Sequence, residues 1–416
     1  MIKKYLLMNR SDEAALLTLE TSSEEHIIED LEIIDQSKLP FPARYSQGPE
    51  RIAALEEWIF RRLLARSRYG LNKILTVTGL NRLESSLQSY GMTLTDGFWF
   101  KPEKDTGLSW EQINFFTNPF SYDIGNLAFG FPLSDYDFIT PDLTTNGRME
   151  KAWRRRGSST WLLKKGSPPH FEEPFNEKVT AQILKKISKV PFVDYDVIFV
   201  HQYAASICKN FTQDGIEFVS AADIAKTEQK PSYLDMEMHL KERCKFFNIP
   251  GYKEFLIQLK IIDYITGNKD RHMGNYGFLY DSEKEKFIGP APIYDNGSAL
   301  WCDMHTEELG EPINISRQAT KQVTAEMKKP EDYLLPQDFT HELKDIVSNT
   351  YASVGLYSER AVYIERLLTQ RYQCLVEAIE RAVEKRMSRD DVLLQYAKQQ
   401  FQINIQNPHE EVILHG

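Results

Sequence analysis

Asp270, Asn275 and Asp295 are the residues of this chain whose types and order can do chemistry. They sit in GNKDRHMGNYGFLYDSEKEKFIGPAPIYDNGS, the stretch from Gly267 to Ser298. An acid, an amide and a second acid in that order suit ATP-dependent phosphoryl transfer. One carboxylate orients or deprotonates the attacking hydroxyl, and the amide and the other carboxylate hold magnesium against the triphosphate. On this reading Asp270 is catalytic and Asn275 and Asp295 are the metal-facing pair. Each type is common in turns and caps, so the weight lies on the ordered set and its apolar, strand-like flanks. His272 is a general base or, as the stronger reading, a side chain that holds the loop by packing and hydrogen bonding. Arg271 contacts a phosphate or pairs with a neighbouring carboxylate.

Two pieces upstream fit the same chemistry. Gly147 follows Thr144-Thr145-Asn146 and opens GRMEK. A glycine there lets the backbone take positive φ and bring amide hydrogens near phosphate oxygens, although a lone glycine in a polar loop is equally a plain turn. Lys164 ends the strand-like TWLLK, from which an inward lysine would meet the α and β phosphates. Taken alone it is a solvated strand-end lysine. Strand alternation puts Lys165 on the opposite face. Glu177 suits a carboxylate that pairs with the phosphate-gripping lysine, or a favourable first-turn acid. The patterns GxxxxGK[ST], GxSxG and HExxH do not occur.

These residues need elements to position them. The apolar spacing of Phe255, Leu256, Leu259, Ile262 and Ile265 predicts a helix over Tyr252–Thr266, stopped by Gly267. The polar loop 268–275 follows, then a strand over Tyr276–Tyr280 and a return segment ending at Asp295. Asn176 is expected to cap a helix running to about Ser188. Strands are expected at Val197–Tyr203 and Ala205–Phe211, with Asp214-Gly215 as a hairpin turn to IEFVSA. Nearer the start, Tyr5–Met8 and Ala14–Leu19 form a hairpin. Ile52, Leu55, Ile59 and Leu63 mark a helix between Pro49 and Gly70, and another covers Leu80–Ser89. The aromatic residues from Phe98 to Phe120 read as interdomain packing rather than a base-stacking surface. A long helix is expected from Ser358 to Met387, with a capping box at Ser388-Arg389-Asp390-Asp391 starting the next.

The chain has 416 residues, 42% of them hydrophobic, enough for two or three domains. Its net charge of −10 argues against a chiefly nucleic-acid-binding protein. Mean hydropathy of −0.44 agrees with a soluble chain. The four cysteines Cys208, Cys244, Cys302 and Cys374 form no CxxC pair, which points to reduced thiols in a cytoplasm. The start MIKKYLLMNRSDE is too short in apolar residues for a signal peptide, and no stretch reaches the length of a membrane span.

NKDRHMGNYGF, APIYDNGSAL, TTNGRMEKAW, STWLLKKGS and EPFNEKV together resemble the HipA-like kinase family, most closely over residues 140 to 300. The resemblance implies an α+β, two-lobed protein-kinase-like fold. Residues 1–130 would be an N-terminal extension of mixed helix and strand. Residues 131–230 would be a small β-rich lobe, and residues 231–416 a mainly helical C-terminal lobe. It implies phosphorylation of serine or threonine on proteins, with ATP and Mg2+ as cofactors. Gly147 to Lys151 would be the phosphate-proximal loop, with Lys164 on the phosphates and Glu177 its ion-pair partner. Lys209-Asn210-Phe211 would lie near the hinge and pair with adenine through backbone groups. Thr144 stands where the family has a serine that can be autophosphorylated. A protein substrate and a small DNA-binding antitoxin partner are implied as well, while the acidic charge and the lack of a long apolar stretch argue against direct nucleic-acid contact and a membrane. The Asp-x4-Asn spacing by itself leaves open a small-molecule kinase. A nucleotide-binding pseudokinase working by interaction is the further alternative.

Overall fold

The structure is a computed structural model that describes residues 1–23, 25–132, 135–310, 317–352 and 359–406. It is an α+β arrangement of antiparallel sheets followed by a mainly helical region. The first sheet has the order β3-β2-β1-β4. It is built from β1 (Ile2–Asn9), β2 (Asp12–Glu20), β3 (Ile28–Ile33) and β4 (Phe98–Pro102). Between β3 and β4 come α1 (Phe41–Tyr45), α2 (Gly48–Arg61), α3 (Leu71–Thr78) and α4 (Arg82–Gln88). The expected β1–β2 hairpin forms, with Asn9 opposite Asp12. Leu55 and Ile59 of α2 pack on Leu7, Leu17 and Leu19 of the sheet. α2 stops at Arg61, well short of Gly70, which instead precedes α3 in a left-handed conformation.

Strand alternation in β4 explains the aromatic stretch. Phe98 and Phe100 face the first core beside Trp58. Trp99 points the other way, into a cluster with Trp110, Phe115 and Trp153. Trp110 belongs to the short α5 (Trp110–Ile113), which α6 (Asp123–Ala128) follows. Trp153 lies on β5 (Lys151–Arg156), so the stretch packs the first sheet against the second.

The second sheet, β5-β6-β8-β7, adds β6 (Ser159–Lys165), β7 (Tyr195–Val200) and β8 (Tyr203–Lys209). It is backed by α7 (Glu173–Ile187), which begins earlier than its apolar pattern suggests. Asn176 therefore does not cap it. The residue lies inside the helix, fully buried, and donates Nδ2 to the Gly297 and Ala299 carbonyls at 2.9 and 3.0 Å.

β9 (Ile216–Ser220) corrects the hairpin expected at Asp214-Gly215. The turn is there, with Gly215 at φ +81, but β8 and β9 are not paired. β9 instead joins β10 (Gly277–Asp281) and β11 (Lys286–Pro290) in a third sheet, order β11-β10-β9. Residues 210–215 thus cross from one sheet to another.

The helical region comprises α8 (Ala221–Ala225), α9 (Met236–Phe246), α10 (Tyr252–Thr266), α11 (Thr306–Gly310), α12 (Arg317–Ala325), α13 (Phe339–Ala352) and α14 (Glu359–Gln406). α10 contributes Phe255, Leu259, Ile262 and Ile265 to the largest core, as its periodicity predicts. α14 is continuous for 48 residues, so no new helix starts at 388–391. Ser388 donates its hydroxyl back to the Glu384 carbonyl instead of capping. The expected start of this helix at Ser358 lies outside the described residues.

Candidate active site

Lys164 ties the second sheet to α7 and to the segment after β11. It is 4% exposed on β6 and donates Nζ to Glu177 Oε1 at 2.5 Å and to Asp295 Oδ1 at 2.8 Å. Tyr195 places its hydroxyl 3.5 Å from the same nitrogen. Burial by itself would lower the Lys164 ammonium, but Asp295 and Glu177 carry it well above the ordinary lysine range. Burial pushes the Glu177 carboxyl up, with Lys164 opposing. At Asp295 burial also raises, but Lys164 and Lys151 outweigh it and hold the carboxylate well below its usual range. Asp295 therefore stays ionised at neutral pH. Lys165 takes the opposite face, as alternation requires, and pairs with Glu150 at 2.5 Å.

The loop after α10 is built on Gly267, which closes the helix at φ +66. A side chain there would be strained, and its Cβ would lie 3.0 Å from the Trp301 indole. Asp270 is exposed, and its carbonyl accepts from Asn275 Nδ2 at 2.8 Å. Ser298 donates its hydroxyl to Asp270 Oδ2 at 3.5 Å. His272 is exposed and accepts through Nδ1 from the Gly274 amide at 3.0 Å, a contact internal to the loop.

Arg271 joins this loop to the Asp295 segment. It donates to the carbonyls of Asn275 at 3.2 Å and Tyr294 at 2.6 Å, and to Asn296 Oδ1 at 2.5 Å. Its charge partner is Asp263, at 3.0 Å. Tyr294 adds a second tie by donating its hydroxyl to the Gly274 carbonyl at 3.0 Å. Asp270, Asn275 and Asp295 thus come from two segments laced together by the largely buried Arg271 guanidinium and the Tyr294 hydroxyl. Arg271 pairs with a carboxylate, the second of its two expected roles.

The other expected residues divide. Gly147 has φ +103, and a Cβ there would run into Lys151 Nζ. Lys151 lies directly across the β5–β6 ladder from Lys164. Burial, with Lys164 and Arg68 nearby, pushes its ammonium down to about 7 against the pull of Asp295. Lys209 ends β8 and is exposed. Asn210 spends its amide on the Thr160 carbonyl at 2.9 Å and its side chain on the Leu94 carbonyl at 3.0 Å. Phe211 packs against Phe218 and Tyr294. Thr144 is buried and donates its hydroxyl to the carbonyls of Met92 and Pro141. In this conformation that hydroxyl faces protein.

Asp263, Tyr195, Ser206 and Arg68 were not singled out from the sequence. Ser206 donates to Glu177 Oε2 and so completes the carboxylate that orients Lys164. Asp263 left a signal: it is the one acid in the otherwise apolar last turns of α10, IIDYIT, where an acid needs a buried partner. Among the described residues, no three His, Cys, Asp or Glu side chains converge as a metal cluster. No helix of the described residues is long and apolar enough to cross a membrane.

No protein-family model matches the chain. Over 91% of its length it superposes on 99% of HipA from Shewanella oneidensis, solved with HipB and operator DNA, with a TM-score of 0.52 and 14% identity. The chain shares its fold with that HipA structure. A stretch of 100 residues is 31% identical to the serine/threonine-protein kinase CtkA of Helicobacter pylori. That stretch is 23% of this chain and spans about 30% of the relative's length. The crystal structure of the proinflammatory kinase CtkA covers 56% of this chain and 94% of its own, with a TM-score of 0.44 and 18% identity. The likeness to the Shewanella HipA structure agrees with the fold expected from the motifs.

Proposed function

We propose that this HipA-like chain is an ATP- and Mg2+-dependent serine/threonine protein kinase. The observation that carries the reading is Lys164 held between Glu177 and Asp295, with the Asp270–Asn275 loop laced to Asp295 through Arg271. Bound ATP and Mg2+ would supply the phosphoryl group and neutralise its charge. The residues fit such a pair. Asn275 has its amide nitrogen engaged by Asp270, which leaves the carboxamide oxygen for a hard cation. Asp295 is ionised with its side chain 28% exposed. One carboxylate and one amide oxygen, completed by water and phosphate oxygens, is how magnesium is usually held, so a three-acid cluster is not required.

Lys164 would steady the α and β phosphates, and Glu177 would fix its ammonium in place. Gly147 and Lys151 would line the phosphate end. Phe211 and Tyr294 would wall the base end at the 210–215 crossing, beside the backbone of Lys209. Asp270, exposed and close to Ser298, is free to accept the proton of an incoming hydroxyl. His272 would keep the loop in shape. A protein acceptor and a small DNA-binding antitoxin are the proposed partners. Autophosphorylation at Thr144 would require its segment to leave Met92.

Replacing Asp270 with Asn in the full chain tests the reading. Transfer of labelled phosphate from ATP should fall about a hundredfold or more, with ATP binding retained. Transfer at the wild-type rate would remove the role of Asp270. Failure of the wild-type protein to bind ATP with Mg2+ would remove the enzyme reading.

A further inference from the structure

The residues joining α2 to α3 lie far from the cleft in sequence yet meet the phosphate-proximal loop at three points. Arg68 is 4% exposed. Its Nη1 donates to the Thr145 carbonyl at 3.0 Å and its Nη2 to the Lys151 carbonyl at 3.4 Å. Those two carbonyls bracket residues 146–150, so a single guanidinium closes both ends of the loop that carries Gly147. Between them, the Tyr69 amide donates to the Arg148 carbonyl at 2.9 Å. Asn146 and Arg148 are exposed, and the apex is held by few contacts of its own, the Lys151 ammonium on the Asn146 carbonyl and Arg148 over the Tyr69 ring at 5.9 Å. A planar fork of N–H donors suits two divergent carbonyls, whereas an ammonium on a flexible stem does not.

The same N-terminal region continues along the cleft. Met92 offers its carbonyl to Thr144, and Leu94 offers its carbonyl to Asn210 and Thr212. Thr95 accepts from the Phe218 amide at 2.8 Å. One stretch of the extension therefore spans from the phosphate end to the crossing between sheets.

We propose that the N-terminal extension is a brace for the nucleotide cleft, and that Arg68 is a positioning residue that holds the 146–150 loop in its phosphate-receiving shape. This rests on the kinase reading above. Arg68 touches no reacting atom; it acts through the loop backbone and through its charge beside Lys151, and R68K keeps that charge while losing the fork. Its expected signature is selective: the phosphate end of a nucleotide should feel its loss and the nucleoside end should not.

The test uses R68Q and R68K in the full chain. Binding of ATP with Mg2+ and of adenosine is measured by calorimetry, and amide hydrogen exchange is followed across residues 144–151. R68Q should weaken ATP about tenfold, leave adenosine unchanged and speed exchange of the loop. R68K keeps the cation but cannot span both carbonyls, so it should show the same split; it carries the test should R68Q not fold. Equal weakening of ATP and adenosine, or unchanged ATP affinity with unchanged loop exchange, overturns the proposal. If the wild-type protein binds neither nucleotide, the kinase reading fails. Loop exchange alone then decides whether Arg68 is a brace: faster exchange in the variants upholds it, and no change removes it.

Discussion

Removing the charge from Asp263 should show that the alignment of the two halves of the candidate site depends on one largely buried ion pair. The Asp263 and Arg271 side chains are 15% and 10% exposed, and their contacts lie at 3.0 to 3.2 Å. Burial raises the Asp263 carboxyl, with Arg271 opposing, while Asp263 keeps the Arg271 guanidinium above its ordinary value despite burial. Much of what the pair contributes by attraction is offset by desolvation. Its replacement as a unit should therefore be mild and its breakage severe. D263N leaves a buried cation facing an amide that still accepts one hydrogen bond, so the loss should be about 2–4 kcal/mol, at or just below the usual cost of breaking such a pair. Urea unfolding followed by tryptophan fluorescence would measure it. R271M alone should cost a similar amount, and D263N/R271M should recover about 1.5 kcal/mol or more of the summed loss. D263N should also slow phosphate transfer about a hundredfold, because Arg271 aligns residues 275 and 294–296 and small displacements there are expensive. Additive single-variant losses in the cycle, or a D263N protein as stable and as fast as wild type, would refute this account of the loop.

Glu217 is 5% exposed, and its carboxyl is raised to about 7, by burial first and by Asp96 second, against Arg44 and Arg62. The folded state therefore holds an extra proton between about pH 4.5 and 7. Stability from this group is full below that window and lost as pH rises through it, by at most about 3 kcal/mol. E217Q should flatten that part of a pH–stability curve from thermal unfolding. K164M leaves Glu177 and Asp295 facing each other in a buried site. It should cost about 3 kcal/mol or more at pH 7.5, and the loss should shrink at pH 5 as a carboxylate takes up a proton. T144V removes the donor to Met92 and Pro141 and should cost about 1 kcal/mol, whereas T144D buries an unpaired carboxylate and should cost clearly more. Equal unfolding midpoints for T144V and T144D would show that this hydroxyl is not enclosed.

Local pattern was enough where an element decides its own shape. The apolar stripe of α10 and its stop at Gly267 were legible, as were the β1–β2 hairpin and the opposite facing of Lys164 and Lys165 on β6. These depend on period and on turn chemistry, which neighbouring residues express. The Lys164–Glu177 pair came with the family resemblance, since residue type alone left Lys164 a solvated strand-end lysine and Glu177 equally a first-turn acid. What was not legible depends on distant partners. Asn176 looks like a cap because caps are often Asn, but its place inside α7 is set by carbonyls of residues 297 and 299. Asp214-Gly215 looks like a hairpin turn, but the partner of β9 is β10, far along the chain. Ser388 resembles a cap, and α14 runs through it. Arg68 carried no local signal, since the carbonyls that need it lie 77 and 83 residues away. The domain limits suggested by composition also say nothing of which sheet a strand joins.

The membership of β9 in the third sheet bears on how this protein could be taken apart. A two-fragment version for complementation should be opened inside 210–215, so that the second fragment starts with its own strand. Opened near residue 230, the second fragment would carry β10 and β11 alone, with one flank of β10 bare. An unpaired flank of that kind recruits other strands, including those of sister molecules, so such a fragment is expected to self-associate before it finds its other half.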